Sequence, residues 1–105
     1  MININYELDQ STVKASCGIY AIRIDSHLYI GSTKRTLWKR LKEHEYDLKQ
    51  NKHQNHRMQE WFNKGTTIVF MALEYCSSKY VCQREQYYID KYKPDINIVQ
   101  HVAKY

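Results

Sequence analysis

Two tyrosines occupy short apolar runs of similar composition, Gly18-Ile19-Tyr20 and Tyr29-Ile30-Gly31. A phenol has an ordinary pKa of about 10, so it is a poor base at neutral pH unless a nearby cation favours the phenolate. Arg40 and a bound metal are both candidates for that charge, and the Arg40 guanidinium presents a planar fork of donors that fits phosphate oxygens. These residue types therefore suit chemistry at a phosphate group. Packing within a β-sheet is the alternative for the tyrosines, and an ordinary surface charge is the alternative for Arg40.

The positive charge of the chain is concentrated around Arg40. The net charge is +5, and residues 34–64 hold nine basic and four acidic side chains. Residues 1–33 are slightly acidic in balance, and residues 65–105 carry a balance of only +1. A concentrated basic segment is typical of a protein that binds a polyanion such as DNA. A solvated, lysine-rich helix face explains the same composition, and the charge pattern alone leaves both readings open.

The two tyrosines are predicted to lie on a β-hairpin that spans about Cys17–Ser32. Its apolar runs, Gly18–Ile24 and Leu28–Ile30, flank the polar turn Asp25-Ser26, and they are rich in β-branched and aromatic residues. Such a hairpin places the tyrosines on neighbouring strands. Whether they share a face depends on the register, which the sequence does not define.

Three helices are predicted after the hairpin. Leucines at spacings of three and four indicate an amphipathic first helix, for which Thr36 is a suitable N-cap. Arg40 and His44 are four residues apart, so they lie on the same side of that helix. A second helix is predicted over about Gln54–Asn63, ended by Lys64-Gly65, and a third over about Lys79–Tyr92, capped by Ser78 and stopped by Pro94.

The remaining strands complete a prediction of fold class. Thr66–Tyr75 is the most β-prone run and is predicted as a central strand. Residues 1–9 alternate weakly and indicate an edge strand within an N-terminal extension, residues 1–16. A short β-like stretch, Ile96–Val99, follows Pro94. We expect a single α+β domain over residues 1–105, with a small central antiparallel sheet of about three strands flanked by about three helices.

Several classes of protein are disfavoured by composition. No apolar run approaches the length of a membrane span, and the first residues lack the pattern of a signal peptide. Three cysteines without a CxxC pair argue against a zinc site and against a disulfide framework. We therefore expect a reducing, cytoplasmic location and no membrane partner.

The paired tripeptides resemble the signature of the GIY-YIG nuclease superfamily. The resemblance extends in the family's order over about Gly18–Asn97. It includes an arginine on the first helix, a histidine four residues later, a second histidine past that helix, a glutamate on the third helix and a late asparagine. The matching residues are Arg40, His44, His53, Glu85 and Asn97.

The resemblance implies a role for each catalytic residue. Tyr20 is the family's candidate general base, and Tyr29 positions the phosphate or supports the base. Arg40 stabilises charge in the transition state, and His44 hydrogen-bonds the attacking water or Tyr20. Glu85 binds one divalent metal, Mg²⁺ or Mn²⁺, because a carboxylate suits a hard cation.

Supporting roles are implied for three further residues. His53 and Asn97 are candidates for catalytic support, and His27 stands where several relatives carry a lysine. A neutral histidine cannot supply the fixed charge of that lysine, so this role is weaker here or falls to another basic residue. Backbone contacts with DNA are expected from Lys34, Arg35, Lys39 and Lys42.

The implied function is a small metal-dependent endonuclease acting on DNA. The chain is similar to the nuclease domain of intron-homing endonucleases and corresponds to a stand-alone phage or bacterial member, or to a catalytic fragment. Double-strand cleavage would then need a homodimer or a DNA-targeting partner. A non-cleaving DNA-binding or accessory module on the same fold is the alternative. A third reading is an interaction domain whose basic helix meets an acidic protein.

Overall fold

Four strands form one mixed β-sheet in the computed structural model, which describes residues 2–98. In chain order the strands are β1 (Asn3–Glu7), β2 (Gly18–Ile24), β3 (His27–Thr33) and β4 (Thr67–Tyr75). Their order across the sheet is β1-β4-β2-β3, with β2 antiparallel to both of its neighbours. The α+β class is confirmed, and the strand predicted over Thr66–Tyr75 is an internal strand of the sheet.

Strand β1 adds a parallel pairing to the sheet predicted as antiparallel. It lies at an outer edge, as its alternation predicts, and pairs with β4 from Asn3 opposite Thr67 to Glu7 opposite Met71. Strands β1 and β2 run in opposite directions, and β4 later inserts between them, so β4 must be parallel to one of the two. The predicted sheet of about three antiparallel strands therefore corresponds to β2, β3 and β4.

Within residues 2–98, four helices connect these strands or follow them. They are α1 (Gln10–Val13), α2 (Leu37–Lys49), α3 (His56–Lys64) and α4 (Val81–Tyr92). The short helix α1 forms where the sequence predicts a turn. The Asp9 side chain caps it by accepting hydrogen bonds from two backbone amides of its first turn. Thr36 caps α2 as predicted. A 3₁₀ turn, Ser78–Tyr80, precedes α4 and is capped by Ser77. The predicted cap Ser78 lies within this turn, and α4 begins at Val81 without a side-chain cap.

The sheet has apolar side chains on both faces, and helices cover each face. The larger core lies between the sheet and α1, α2 and α3, and it includes Tyr20, Leu41 and Phe70. The smaller core lies between the other face and α4, and it includes Ile19, Ile30 and Ile89. Because side chains alternate along a strand, neighbouring residues of β2 and β3 point into different cores.

The register of the hairpin places both signature tyrosines on one face. Tyr20 is opposite Gly31, and Ile22 is opposite Tyr29. Residues directly opposite each other share a face, as do residues two apart on one strand. Tyr20 and Tyr29 are therefore diagonal neighbours on the face that α2 covers, with ring centroids 6.3 Å apart.

The segment after α4 runs along the outer edge of β3. Its backbone is not a strand at Ile96 or Asn97, although the Ile96 N–H donates to the Leu28 carbonyl at 3.0 Å. The rest of the predicted stretch, Val99, lies outside the described residues. Within residues 2–98, no helix is both long and apolar enough to span a bilayer.

Candidate active site

The buried phenol of Tyr20 lies at the centre of the candidate site, and the glycine opposite it makes this possible. A Cβ atom added to Gly31 would lie 2.5 Å from Tyr20 Oη, well inside van der Waals contact. The phenol therefore crosses the backbone of β3 at the one residue without a side chain. Gly18 is likewise constrained, since a Cβ there would overlap the backbone carbonyl of Glu74. The two glycines of the paired tripeptides are thus required because no side chain fits at either position.

Helix α2 brings two side chains to the Tyr20 phenol. Tyr20 Oη and His44 Nε2 are 2.7 Å apart, within hydrogen-bond distance, and His44 is buried. Arg40, one turn earlier on α2, is half-buried and lies close enough to Tyr20 to favour its phenolate. A second histidine, His53, follows α2, and its Nε2 is 2.7 Å from His44 Nδ1. Tyr20, His44 and His53 thus form one continuous hydrogen-bonded row.

Burial determines the protonation of this row. Burial raises the pKa of Tyr20 well above its ordinary value, Tyr29 adds to the effect, and the positive charge of Arg40 opposes it. Burial also lowers the pKa of His44 well below its ordinary value, and the charge of Arg40 adds to this effect. Burial lowers the pKa of His53 as well, although Asp47 opposes it. Both imidazoles are therefore neutral at neutral pH.

Glu43 is a neighbour of Arg40 that the motif pattern does not include. Its carboxylate accepts two hydrogen bonds from Arg35, at 2.6 and 2.8 Å, and one from Arg40 at 3.2 Å. The hydrogen bond from Arg35 lowers the pKa of the Glu43 carboxyl to about 2, and Arg40 contributes to the shift. Glu43 thus holds two arginine side chains side by side at the surface of α2. Its position at i+3 from Arg40 is the only sequence signal that could have indicated this contact.

Glu85 approaches the site from the opposite layer of the fold. It lies on α4, where its carboxylate accepts a hydrogen bond from the hydroxyl of Ser32, the residue after Gly31. Burial raises the pKa of the Glu85 carboxyl, partly offset by that hydrogen bond. The negative charge of Glu85 is close enough to Tyr20 to raise the pKa of the phenol. Ser32 is therefore the contact through which the α4 layer meets the edge of the site, and the sequence pattern does not single it out.

The surroundings of Glu85 suit one cation better than a metal cluster. None of the ion pairs among residues 2–98 involves this half-buried carboxylate. In the same part of the chain, no group of three or more histidine, cysteine or acidic side chains is arranged to hold a metal. A carboxylate oxygen with a neighbouring hydroxyl suits a hard divalent cation that keeps water ligands. The donor set thus fits a single ion held by Glu85.

The sequence profile of the GIY-YIG catalytic domain matches residues 16–97, which contain all of these side chains. The chain belongs to the GIY-YIG family. Its fold is similar to the catalytic domain of the homing endonuclease I-TevI, with a TM-score of 0.68 and 29% sequence identity over 84% of this chain and 99% of that domain. A comparison with curated proteins gave no significant match.

A second GIY-YIG structure is similar in fold alone. It is the N-terminal endonuclease domain of UvrC from Thermotoga maritima, a point mutant bound to its catalytic divalent cation. The TM-score is 0.51 and the identity 17%, over 86% of this chain and 94% of that domain. The nuclease family and the fold that the sequence motifs predict are therefore confirmed, while the roles of individual residues remain predictions.

Two of the GIY-YIG residues predicted to support catalysis have contacts outside the row of Tyr20, His44 and His53. His27 stacks on Trp61 at a centroid distance of 3.6 Å, and its Nδ1 is 2.5 Å from Asp95. The buried amide of Asn97 accepts from the Ile30 N–H and donates to the Ile30 carbonyl, both at 2.9 Å. Asn97 therefore has a structural role, since its side chain binds the backbone at the edge of β3.

The four basic residues predicted to contact DNA are all exposed on or just before α2. They are Lys34, Arg35, Lys39 and Lys42. Arg35 binds Glu43, and Lys42 lies 2.8 Å from Glu45. Arg40 lies on the same helix, directly after Lys39, so the first half of α2 is rich in positive charge.

Proposed function

We propose that this chain is a divalent-metal-dependent endonuclease that hydrolyses DNA phosphodiester bonds. The observation that carries the proposal is the buried Tyr20 phenol, which is hydrogen-bonded to His44, faces Arg40 and passes over Gly31. A phenol packed only for stability would not need a half-buried arginine neighbour that favours its charged form. The similarity to the catalytic domain of the homing endonuclease I-TevI supports the same reaction class.

Tyr20 is proposed as the general base. Its phenolate takes a proton from the attacking water, the water oxygen bonds to phosphorus, and the bond from phosphorus to the 3′ oxygen breaks. The electron pair of that bond stays on the departing oxygen. The phenolate is disfavoured by burial, so the positive charge of Arg40 and a hydrogen bond from His44 are needed to make it accessible.

Arg40 is proposed to stabilise the negative charge that develops on the phosphate. Its guanidinium is permanently charged and offers several donors in one plane, while Glu43 engages only one terminal nitrogen. Tyr29, on the same face of the hairpin, is proposed to position the phosphate. Loss of one preorganised donor of this kind typically costs about 3–4 kcal/mol of transition-state stabilisation.

Glu85 is proposed to hold one divalent cation, Mg²⁺ or Mn²⁺. The half-buried carboxylate lacks an ion-pair partner among residues 2–98, and the structurally similar UvrC domain is bound to its catalytic divalent cation. When bound, such a cation would relieve charge on the leaving oxygen and offset the Glu85 charge that raises the Tyr20 pKa.

Lys34, Arg35, Lys39 and Lys42 are proposed to contact the DNA backbone. These contacts are independent of base sequence, so binding should weaken strongly as salt rises. A single site of this kind cuts one strand. Paired cuts would then need a second copy of the chain or a partner that brings two sites together.

Conversion of supercoiled plasmid to the nicked circle tests the proposal. With Mg²⁺ we expect nicking by the unmodified chain and its loss on chelation. Tyr20→Phe, Arg40→Ala and Glu85→Ala should each lower the rate by about a hundredfold or more. Matched controls are Tyr46→Phe, exposed on α2, and Glu60→Ala, exposed on α3, which should keep the rate.

Two outcomes would contradict the proposal. Nicking that Glu85→Ala leaves intact would remove the metal assignment. Salt-sensitive DNA binding without a nicked product under Mg²⁺ or Mn²⁺ would instead identify a non-cleaving DNA-binding module on the same fold.

A further inference from the structure

The hydrogen-bonded row from Tyr20 does not end at His53. The backbone N–H of Asn55 donates to His53 Nδ1 at 3.0 Å, and the backbone N–H of His53 donates to the Gln59 side chain at 3.1 Å. Gln59 is buried, and its amide nitrogen donates in turn to the Leu48 carbonyl at the end of α2. The loop between α2 and α3 therefore holds the His53 ring in one orientation.

The Asn55 amide determines which nitrogen of His53 carries the proton. A backbone N–H can only donate, so His53 Nδ1 must be an acceptor without a proton. A neutral imidazole then carries its proton on Nε2. That nitrogen lies 2.7 Å from His44 Nδ1, so it donates to His44.

The tautomer of His44 follows from the tautomer of His53. His44 Nδ1 accepts the hydrogen bond from His53 Nε2–H, so the neutral His44 ring must be protonated on Nε2. His44 Nε2 lies 2.7 Å from Tyr20 Oη, so it donates to the phenol oxygen. In the opposite tautomer, His44 Nε2 would accept a hydrogen bond from the phenol O–H and stabilise the uncharged phenol.

We propose that the Asn55 backbone amide, acting through His53, holds His44 in the Nε2–H tautomer that donates to Tyr20 and favours its phenolate. His53 is then a positioning residue, since it acts on Tyr20 only through His44. This inference rests on the proposed role of Tyr20 as the base.

Other charged and titratable groups also face this row. The charges of Tyr29, Arg40 and Glu85 shift the pKa of the phenol. Arg40 shifts the pKa of both histidines, and Asp47 shifts that of His53. None of these four residues is itself changed when Asn55 or His53 is replaced. Asn55→Ala controls for loss of the Asn55 side-chain hydrogen bonds with Met58 and Ile96. A change that follows those substitutions therefore reports on the row itself.

Nitrogen-15 NMR of the imidazole rings tests the tautomer without DNA or metal. Protonated and unprotonated ring nitrogens differ in chemical shift, and His44→Gln and His53→Gln identify the two sets of signals. We expect the Nε2–H form at both residues. Asn55→Ala keeps the backbone N–H and should preserve both signals, whereas Asn55→Pro removes it and should give a mixture of forms. The backbone of Asn55, at φ −84°, is compatible with proline.

The pH profile of plasmid nicking tests the consequence for Tyr20. His53→Leu removes the donor to His44, so we expect nicking to fall about tenfold at neutral pH and its acid limb to move to higher pH. His53→Gln can restore an N–H donor and should recover most of the profile. A merely structural role of His53 would lower activity at every pH without moving the limb.

The outcomes separate this inference from the proposed function. An Nδ1–H form of His44, a shared imidazolium, or a His53→Leu profile like that of the unmodified chain would overturn the inference. Preservation of both tautomers in Asn55→Pro would also overturn it. Absence of nicking by the unmodified chain would overturn the proposed function, and the NMR result would still decide the tautomer.

Discussion

The carboxylate of Glu43 lies 3.2 Å from Nη1 of Arg40, and the same carboxylate binds Arg35 through two hydrogen bonds. The guanidinium proposed to meet the phosphate is therefore already paired with an anion. Such a contact can orient Arg40, but it also competes with DNA for the same donors. Removal of the Glu43 charge should therefore change the affinity for DNA.

Glu43→Gln should strengthen DNA binding at low salt by about two- to fivefold, because a partly exposed ion pair contributes little to stability while its negative charge repels phosphate. Gel retardation with a short duplex over a range of salt concentrations measures the change. Glu60→Gln, an exposed carboxylate on α3, is the matched control. Weaker binding by Glu43→Gln would mean that orientation of the arginines outweighs the repulsion.

Gly31→Ala should displace the Tyr20 ring, because its new Cβ would lie 2.5 Å from Tyr20 Oη. We expect loss of nicking and a decrease of about 1–3 kcal/mol in the free energy of unfolding, as for other overpacked positions. Chemical denaturation measures the second effect. The decrease should become smaller when Gly31→Ala is made in a Tyr20→Leu background, and an equal decrease in both backgrounds would contradict this steric explanation.

Asn97→Ala should destabilise the fold by about 2–4 kcal/mol, because it removes two buried hydrogen bonds and leaves the Ile30 backbone groups without them. Thermal or chemical unfolding measures the loss, with Asn5→Ala on the exposed face of β1 as control. If Asn97 instead acts directly on the DNA, nicking per folded molecule will fall while the stability changes little.

The fold should lose stability as the pH falls from about 5 to about 2, partly through Glu45. Burial raises the pKa of this carboxyl, but hydrogen bonds from Lys42, Tyr6 and Lys49 outweigh it and hold the pKa at about 2. A carboxyl with a pKa below its unfolded value stabilises the folded state above that value, and this contribution disappears as pH falls through the folded pKa.

Glu45→Gln tests this pH dependence, since the variant has no carboxyl to titrate there. We expect its acid-induced loss of stability to be smaller by about 2 kcal/mol than that of the unmodified chain. Urea unfolding at a series of pH values measures the difference. Glu7→Gln, at an exposed position of β1, is the control. Parallel stability curves for Glu45→Gln and the unmodified chain would contradict the assignment.

Local patterns in the sequence were sufficient for most of the secondary structure. The Asp25-Ser26 break predicts the hairpin, and Thr36 and Gly65 mark one end each of α2 and α3. These features depend on residues close together in the chain. The parallel pairing of β1 with β4 joins segments about sixty residues apart, and alternation within one strand contains no information on its partner.

The candidate site was predictable to a similar degree. The resemblance to the family indicated Tyr20, Arg40 and His44, and the structure brings their side chains together. It could not indicate Glu43 or Ser32, which depend on how side chains meet in three dimensions. The registers that place Gly31 opposite Tyr20, and Asn97 beside Ile30, likewise follow from tertiary packing.

The segment that follows α4 has a consequence for assembly. Along β3, the N–H and carbonyl of Leu28 and of Ile30 are bound by Asp95, Ile96 and Asn97. These backbone groups would otherwise be the template for another strand, which is the usual route by which sheets of two chains join or aggregate. At these residues the sheet is therefore closed to strand addition from that side, and two copies that cooperate on DNA would have to meet elsewhere, at the β1 edge or through side chains.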